Sequence, residues 1–380
     1  MEVVPAHLEH WMRDYYFNTE IDIGSSGVEN FTFGELRRLF NITADDLDRI
    51  LLCDSRTVGD PELRRAIGNR WANGDAERVM ATNGSSEANY LVMHALLEPG
   101  DEVVVLDPSY QQLFAIAETI GCKLKRWPLR FENSFRPDLS EARRLIGPQT
   151  RMIVVNFPHN PTGASLTAAE MDELIELAAG AGAYLVWDAV FAELTYDSPV
   201  LPDIGERYDR SITFGTLSKA YGLPGLRVGW CLAAPEVLDR LVQLRDYTTL
   251  ALSPLVELVA TRAIENGDLL LKPRLAQARQ NLELLSSWAN DHSEFVSMVR
   301  PQGGVCAFVR LHDVADSEDF CRKFADEYSV LLVPGTSFGQ PKHVRLGFGC
   351  STRELTEGLS RLSEHFHTYR NSNTSAVAAM

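Results

Sequence analysis

The segment TFGTLSKAYGLPGLRVGW, residues 213–230, sets one lysine among small residues and an arginine eight positions later. Lys219 follows an apolar run. A lysine at the end of a buried strand loses solvation, which lowers its pKa and makes its amine a nucleophile toward carbonyls. A lone lysine is more often a solvated loop residue, so its neighbours decide. Thr216, Ser218 and Arg227 bring two hydroxyls and a guanidinium into the same segment, a set that suits a phosphate. Upstream, NGSSEANYLVMHAL (83–96) puts Ser85 and Ser86 at the opening of a helical pattern. Free amides there bind anions, although a serine before a helix is more commonly a plain N-cap. Asp188 closes the apolar run YLVWD. At a carboxyl strand end it can face a ligand crevice and hold a protonated ring nitrogen. Asn160 lies in NFPHNPTGA (156–164), where two prolines and a glycine set a turn. Tyr110, in DPSY, reads either as a core residue or as a flat stacking surface.

Together these residues ask for one ligand with an aldehyde, a phosphate, a pyridinium nitrogen and a phenolic oxygen, which is pyridoxal 5'-phosphate. On TLSKAYGLPGLRVG, and on NPTG with an aspartate downstream, the chain resembles the fold type I, class I/II aminotransferase superfamily from about Gly59 to Arg345. The resemblance implies that Lys219 bonds covalently to the cofactor aldehyde, Asp188 pairs with the ring nitrogen, Asn160 bonds the ring oxygen and Tyr110 stacks on the ring. It gives the phosphate to Ser85, Ser86, Thr216, Ser218 and Arg227, and the substrate α-carboxylate to Arg345 in HVRLGFGC. It also implies a homodimer. Two departures stand out. Phe191 occupies a position where the family often has a tyrosine, and RILLCDSRTV before Gly59 lacks a tyrosine that often reaches the partner subunit's phosphate. Both speak against ordinary transamination.

A narrower resemblance rests on DIGSSGVENFTFGELR (22–37), NFPHNPTGA, FGTLSKAYGLPGLRVGWC and RDYTTLALSPLVE (245–257). These are similar to the capreomycidine synthase family of peptide-antibiotic pathways. That implies a lyase cyclising 3-hydroxy-L-arginine with loss of water, Lys219 being the base for the α-proton. Glu29 is then a candidate for the substrate guanidinium, and Gly27 marks close backbone approach to the substrate. An aminotransferase acting on a basic amino acid is the alternative. A cofactor-binding transcriptional regulator is not, because only about 50 residues, acidic rather than basic, precede the core.

The elements that must position these groups are legible as short β-branched runs at 102–106, 152–156, 184–188, 211–215 and 228–232. They alternate with helical patterns, the clearest over 167–182 with a Thr167/Glu170 capping box. Such alternation predicts an α/β core with a mostly parallel sheet. After about 275 a long helix (275–290), strand-like segments and a helix from Glu354 to about Tyr369 predict a smaller α+β domain. The expected division is a large domain over 46–275, a small one from 1–45 and 276–370, and a disordered tail over 371–380. A net charge of −16 argues against nucleic acid and anionic membranes as partners. The six cysteines form no CxxC pair, so neither a metal site nor a disulfide framework is expected. The first residues do not read as a signal peptide, and no apolar run reaches the roughly 18 residues of a membrane span. A cytoplasmic protein taking a small amino-acid substrate is the expectation.

Overall fold

The computed structural model describes residues 4–378, and side chains as far as Tyr369. Seven strands form the main sheet in the spatial order 79–82, 229–232, 211–216, 184–188, 150–156, 102–107, 123–128. Gly229–Leu232 runs antiparallel to both neighbours, and the other pairings are parallel. The β-branched runs are continuous rather than alternating because both faces of the sheet are covered. Met80, Val103, Val105, Met152, Val154, Val186, Ile212, Phe214 and Cys231 pack to one side with helices Ser85–Leu96 and Pro235–Arg245. Val79, Ala81, Val104, Leu106, Ile153, Val155, Leu185 and Trp187 pack to the other. Successive strand residues thus alternate between two apolar clusters.

Helix Ala168–Ala181 starts at the predicted capping box, Thr167 accepting from the Glu170 amide, and ends at Gly182 in the left-handed region. The predicted helix at 275–290 is longer and spans Gly267–Asp291. Pro273 lies inside this helix, and Leu270 and Leu271 just before it are buried. A second sheet is antiparallel, in the order 333–334, 343–347, 306–311, 296–297. The N-terminal segment joins this part of the chain through Ile21 and Asp22, which pair in parallel with Val330 and Leu331. The last helix runs from Thr352 to Ala378. Its backbone is therefore helical over most of the stretch read as a tail, and residues 379–380 lie outside the described part. No helix among the described residues is long and apolar enough to cross a membrane.

One buried ion pair fixes the helix that opens at Ser85. Arg245 is fully buried; it donates to Glu87 Oε2 at 3.1 Å, to the Ala81 carbonyl at 2.8 Å and to the Thr57 carbonyl. Glu87 also accepts from the Asn83 amide and from the Thr249 hydroxyl. Removing one partner of such a pair strands the other charge in the core. Arg245→Ala should therefore cost about 3–5 kcal/mol of stability, read as a fall in thermal midpoint. Glu87→Gln added to it should cost much less than Glu87→Gln alone; fully additive losses would contradict the pairing.

Candidate active site

The parallel strands end together on Thr82, Asn156, Asp188 and Thr216 at one edge of the sheet, where Asn156 lies opposite Asp188. Asn156 secures this edge: its Nδ2 donates to the Asp188 carbonyl at 2.9 Å and its Oδ1 accepts from the Asn160 amide at 2.8 Å. The Asp188 side chain is 6% exposed and accepts from the Val190 amide at 3.2 Å. Burial pushes its pKa up to about 7, against the pull of that amide and of Lys219. It has no cation bonded to it among the described residues.

Beside it, helix Ser85–Leu96 opens at Gly84, and no side chain caps it. The N-cap reading of the serines therefore does not hold; both hydroxyls and the first amides are left for a ligand. Gly84 has φ +77°, and a Cβ there would lie 2.5 Å from Arg227 Nη2. The positive φ favours glycine there, and its lack of a side chain leaves the guanidinium room beside the helix start. Arg227 itself has φ 54°, at the end of the turn Pro224–Leu226, and donates to the Pro224 carbonyl at 3.1 Å. Thr216 Oγ1 bonds Ser218 Oγ at 3.0 Å and the Val228 carbonyl at 2.9 Å.

The amine of Lys219 donates to Ser26 Oγ at 3.0 Å. Burial lowers its pKa and the positive charge of Arg345 lowers it further, with Glu9 and Asp188 opposing. Arg345 is buried, donating to the Gly24 carbonyl at 2.9 Å and to Asn160 Oδ1 at 3.3 Å. The Tyr110 hydroxyl donates to Glu9 Oε1 at 2.7 Å, and burial with that carboxylate raises its pKa strongly. All these groups line one cavity of about 750 Å³.

Every residue singled out from the sequence lines that cavity, but two stand differently from expectation. Glu29 is half-exposed and its Oε2 is taken by Arg274 at 2.7 Å, so the protein's own guanidinium already holds the place expected for the substrate's. At Gly27 a Cβ would meet only the Ser218 carbonyl, at 3.5 Å, an ordinary contact, so the fold leaves room for a side chain there. Sequence reasoning missed Ser26, Glu9, Asp22 and Glu354, which also line the cavity. Asp22 accepts from the Gly24 and Ser25 amides at 2.9 and 2.8 Å, and Glu354 accepts from the Asp22 amide at 3.1 Å. Each leaves its second oxygen without a partner among the described residues. Burial raises the Glu354 pKa, and Asp22 and Glu29 beside it push the same way.

The aminotransferase class I and II family model matches residues 55–362. Capreomycidine synthase of Streptomyces vinaceus is 46% identical over 366 residues, 96% of this chain and 94% of that protein. The arginine–pyruvate transaminase AruH of Pseudomonas aeruginosa is 31% identical, over 82% and 83%. The crystal structure of the PLP-dependent cyclase OrfR superposes with a TM-score of 0.92 at 42% identity, covering 97% of this chain and 98% of that one.

The chain belongs to the class I and II aminotransferase family.

Its cofactor is pyridoxal phosphate, and the residues present fit that group. A buried carboxyl with no bonded cation suits a pyridinium nitrogen, and an uncapped helix start beneath an arginine suits a phosphate. Within the family, the position three residues after Asp188 is here the buried Phe191, which has no hydroxyl to donate.

Asp188 also gives a stability signature. In the cofactor-free protein the native state holds its proton more tightly than the unfolded chain between about pH 4 and 7. Ionisation therefore costs stability as pH rises through that window. Asp188→Asn should be more thermostable than the parent at pH 8, by an amount on the order of 2–4 kcal/mol, and the gap should shrink at pH 5. A gap that does not change with pH would refute the assignment.

Proposed function

We propose that the chain converts 3-hydroxy-L-arginine to capreomycidine, closing a ring between Cβ and a guanidine nitrogen with loss of one water. The observation that carries this reading is the split charge of the cavity. Arg345 acts on the Lys219 amine, whereas Glu354 stands beside Asp22 and accepts from its amide at 3.1 Å. One end thus suits an α-carboxylate, and the other, with two carboxylate oxygens open, suits a cationic side chain. The likeness to capreomycidine synthase supports the same substrate.

Pyridoxal phosphate supplies an electron sink that makes the substrate's α-proton acidic. Asp188 keeps the ring nitrogen protonated. Lys219, whose pKa burial lowers, removes the proton at Cα and returns one after closure. Arg345 holds the α-carboxylate, and Asp22 and Glu354 hold the guanidinium. The C–O bond at Cβ breaks, the C–N bond forms, and the guanidine nitrogen sheds a proton, so atoms balance as one water lost. Glu354, whose pKa burial raises, is suited to accept that last proton. Gripping the substrate at both ends supplies the effective molarity that the closure needs.

Two further readings accompany this one. We place the enzyme in the cytoplasm, where its six cysteines, all free thiols, stay reduced. We also propose a homodimer whose contact includes Leu51, Leu52 and Tyr247, exposed at 75%, 79% and 90%. Sedimentation should show the dimer, and Leu52→Asp with Tyr247→Asp should yield monomers; an active parental monomer would refute it.

Enzyme, cofactor and 3-hydroxy-L-arginine, mixed without a keto acid, test the main proposal. A product one water lighter, with Cβ bonded to a guanidine nitrogen by NMR, should accumulate over many turnovers. Glu354→Gln should raise KM for hydroxyarginine at least tenfold, the scale of a lost charge-assisted bond. A single turnover, or sustained amino transfer from arginine to a keto acid without ring formation, would establish the aminotransferase instead.

A further inference from the structure

Among the described residues, the hydrogen-bond partner of the Lys219 amine is a hydroxyl 193 positions away, Ser26 Oγ at 3.0 Å. Other polar groups of the cavity are engaged elsewhere: Asp188 with the Val190 amide, Tyr110 with Glu9, Asn160 with Arg345. Ser26 is 7% exposed, and its place in the segment 22–31 is held from three sides. Asp22 Oδ1 accepts from the Gly24 and Ser25 amides, the Val28 amide donates to the Lys219 carbonyl at 3.1 Å, and the Glu29 amide donates to the Gly349 carbonyl at 2.9 Å. The Val28 bond ties the backbone carrying Ser26 to the backbone of Lys219 itself. The two backbones that carry Oγ and Nζ are thereby held side by side, which keeps the hydroxyl within reach of the amine.

A hydroxyl suits this place for a chemical reason. It accepts from an ammonium and donates to the lone pair of a neutral amine, so it pairs with lysine before and after a proton moves. A carboxylate could only accept, and would hold the proton on nitrogen. We infer that Ser26 is the positioning residue of the base, holding the Lys219 amine in one orientation in both protonation states and so setting how fast it moves the α-proton. The inference rests on Lys219 acting as the base, as proposed above, and not on which amino acid is bound.

The test uses the full-length holoenzyme and its Ser26→Ala, Ser26→Thr and Ser26→Cys variants. Exchange of the α-proton of L-arginine in deuterium oxide is followed by NMR, and kcat and KM are measured with hydroxyarginine. Ser26→Ala should slow exchange and lower kcat about tenfold or more, the scale of a lost bond to a charged group, while KM and cofactor content stay within about twofold. In the cofactor-free full chain, the pH midpoint for acylation of Lys219, read by peptide mass spectrometry, should fall in Ser26→Ala, because the ammonium has lost its acceptor. Ser26→Thr should restore exchange and midpoint toward parental values, and Ser26→Cys should not. Parental exchange and midpoint in Ser26→Ala would overturn the inference. So would Ser26→Cys matching Ser26→Thr, a comparison that holds even if the alanine variant does not fold. Should the parent exchange the α-proton yet form no ring, the cyclase reading falls while the ranking of variants still decides the role of Ser26.

Discussion

Burial of two opposite charges without a mutual bond is the constraint on which the site depends. Asp188 and Lys219 lie in one cavity and each feels the other's charge, yet the carboxyl is bonded to a backbone amide and the amine to a serine. Desolvation moves each toward its neutral form. A direct salt bridge would have restored ordinary pKa values and closed the site. Held apart, the carboxyl remains available to a cationic ring nitrogen and the amine remains a base. The same low-dielectric surroundings strengthen every charge that a ligand brings in.

Keeping them apart requires close backbone approach at several points. Gly84 admits the Arg227 guanidinium over the helix start, and Gly222 admits the Glu29 carbonyl, which a Cβ would meet at 2.5 Å. The buried Arg245–Glu87 pair then holds the helix whose uncapped start lines the cavity. The segment 22–31 closes the opposite wall, pinned to the Lys219 turn and to the strand His343–Gly347 through the Gly347 amide on the Ile23 carbonyl. The backbone under Ser26 and Arg345 is thus set by these bonds, and the Arg345 side chain adds its own to the Gly24 carbonyl and Asn160 Oδ1.

The acidic end of the cavity is what separates this site from a general amino-acid site. Asp22 and Glu354 each spend one oxygen on backbone amides and keep one free. Glu29, nearer the surface, is quenched by Arg274, whose guanidinium also lies 4.3 Å from the Phe31 ring centroid. A cationic substrate end entering there relieves like-charge repulsion that the protein leaves in place.

The local chemistry was legible in sequence because it sits in contiguous motifs. Lys219, Arg227, Asn160, Asp188 and the two serines each lie in a short segment whose turn residues or apolar run declare a strand end. The capping box at Thr167 is likewise a four-residue signal, and the helix starts there. What the tertiary structure decided involves pairs far apart in the chain. Ser26 meets Lys219 across 193 residues, and Glu354 meets Asp22 across 332. Nothing near Glu29 in sequence shows that Arg274, 245 residues on, pairs with it. Hydrophobic period and turn chemistry act over a few residues and fix where strands and helices end. Which side chains then share a cavity depends on sheet order and on backbone contacts between distant segments, and those exist only once the core has closed.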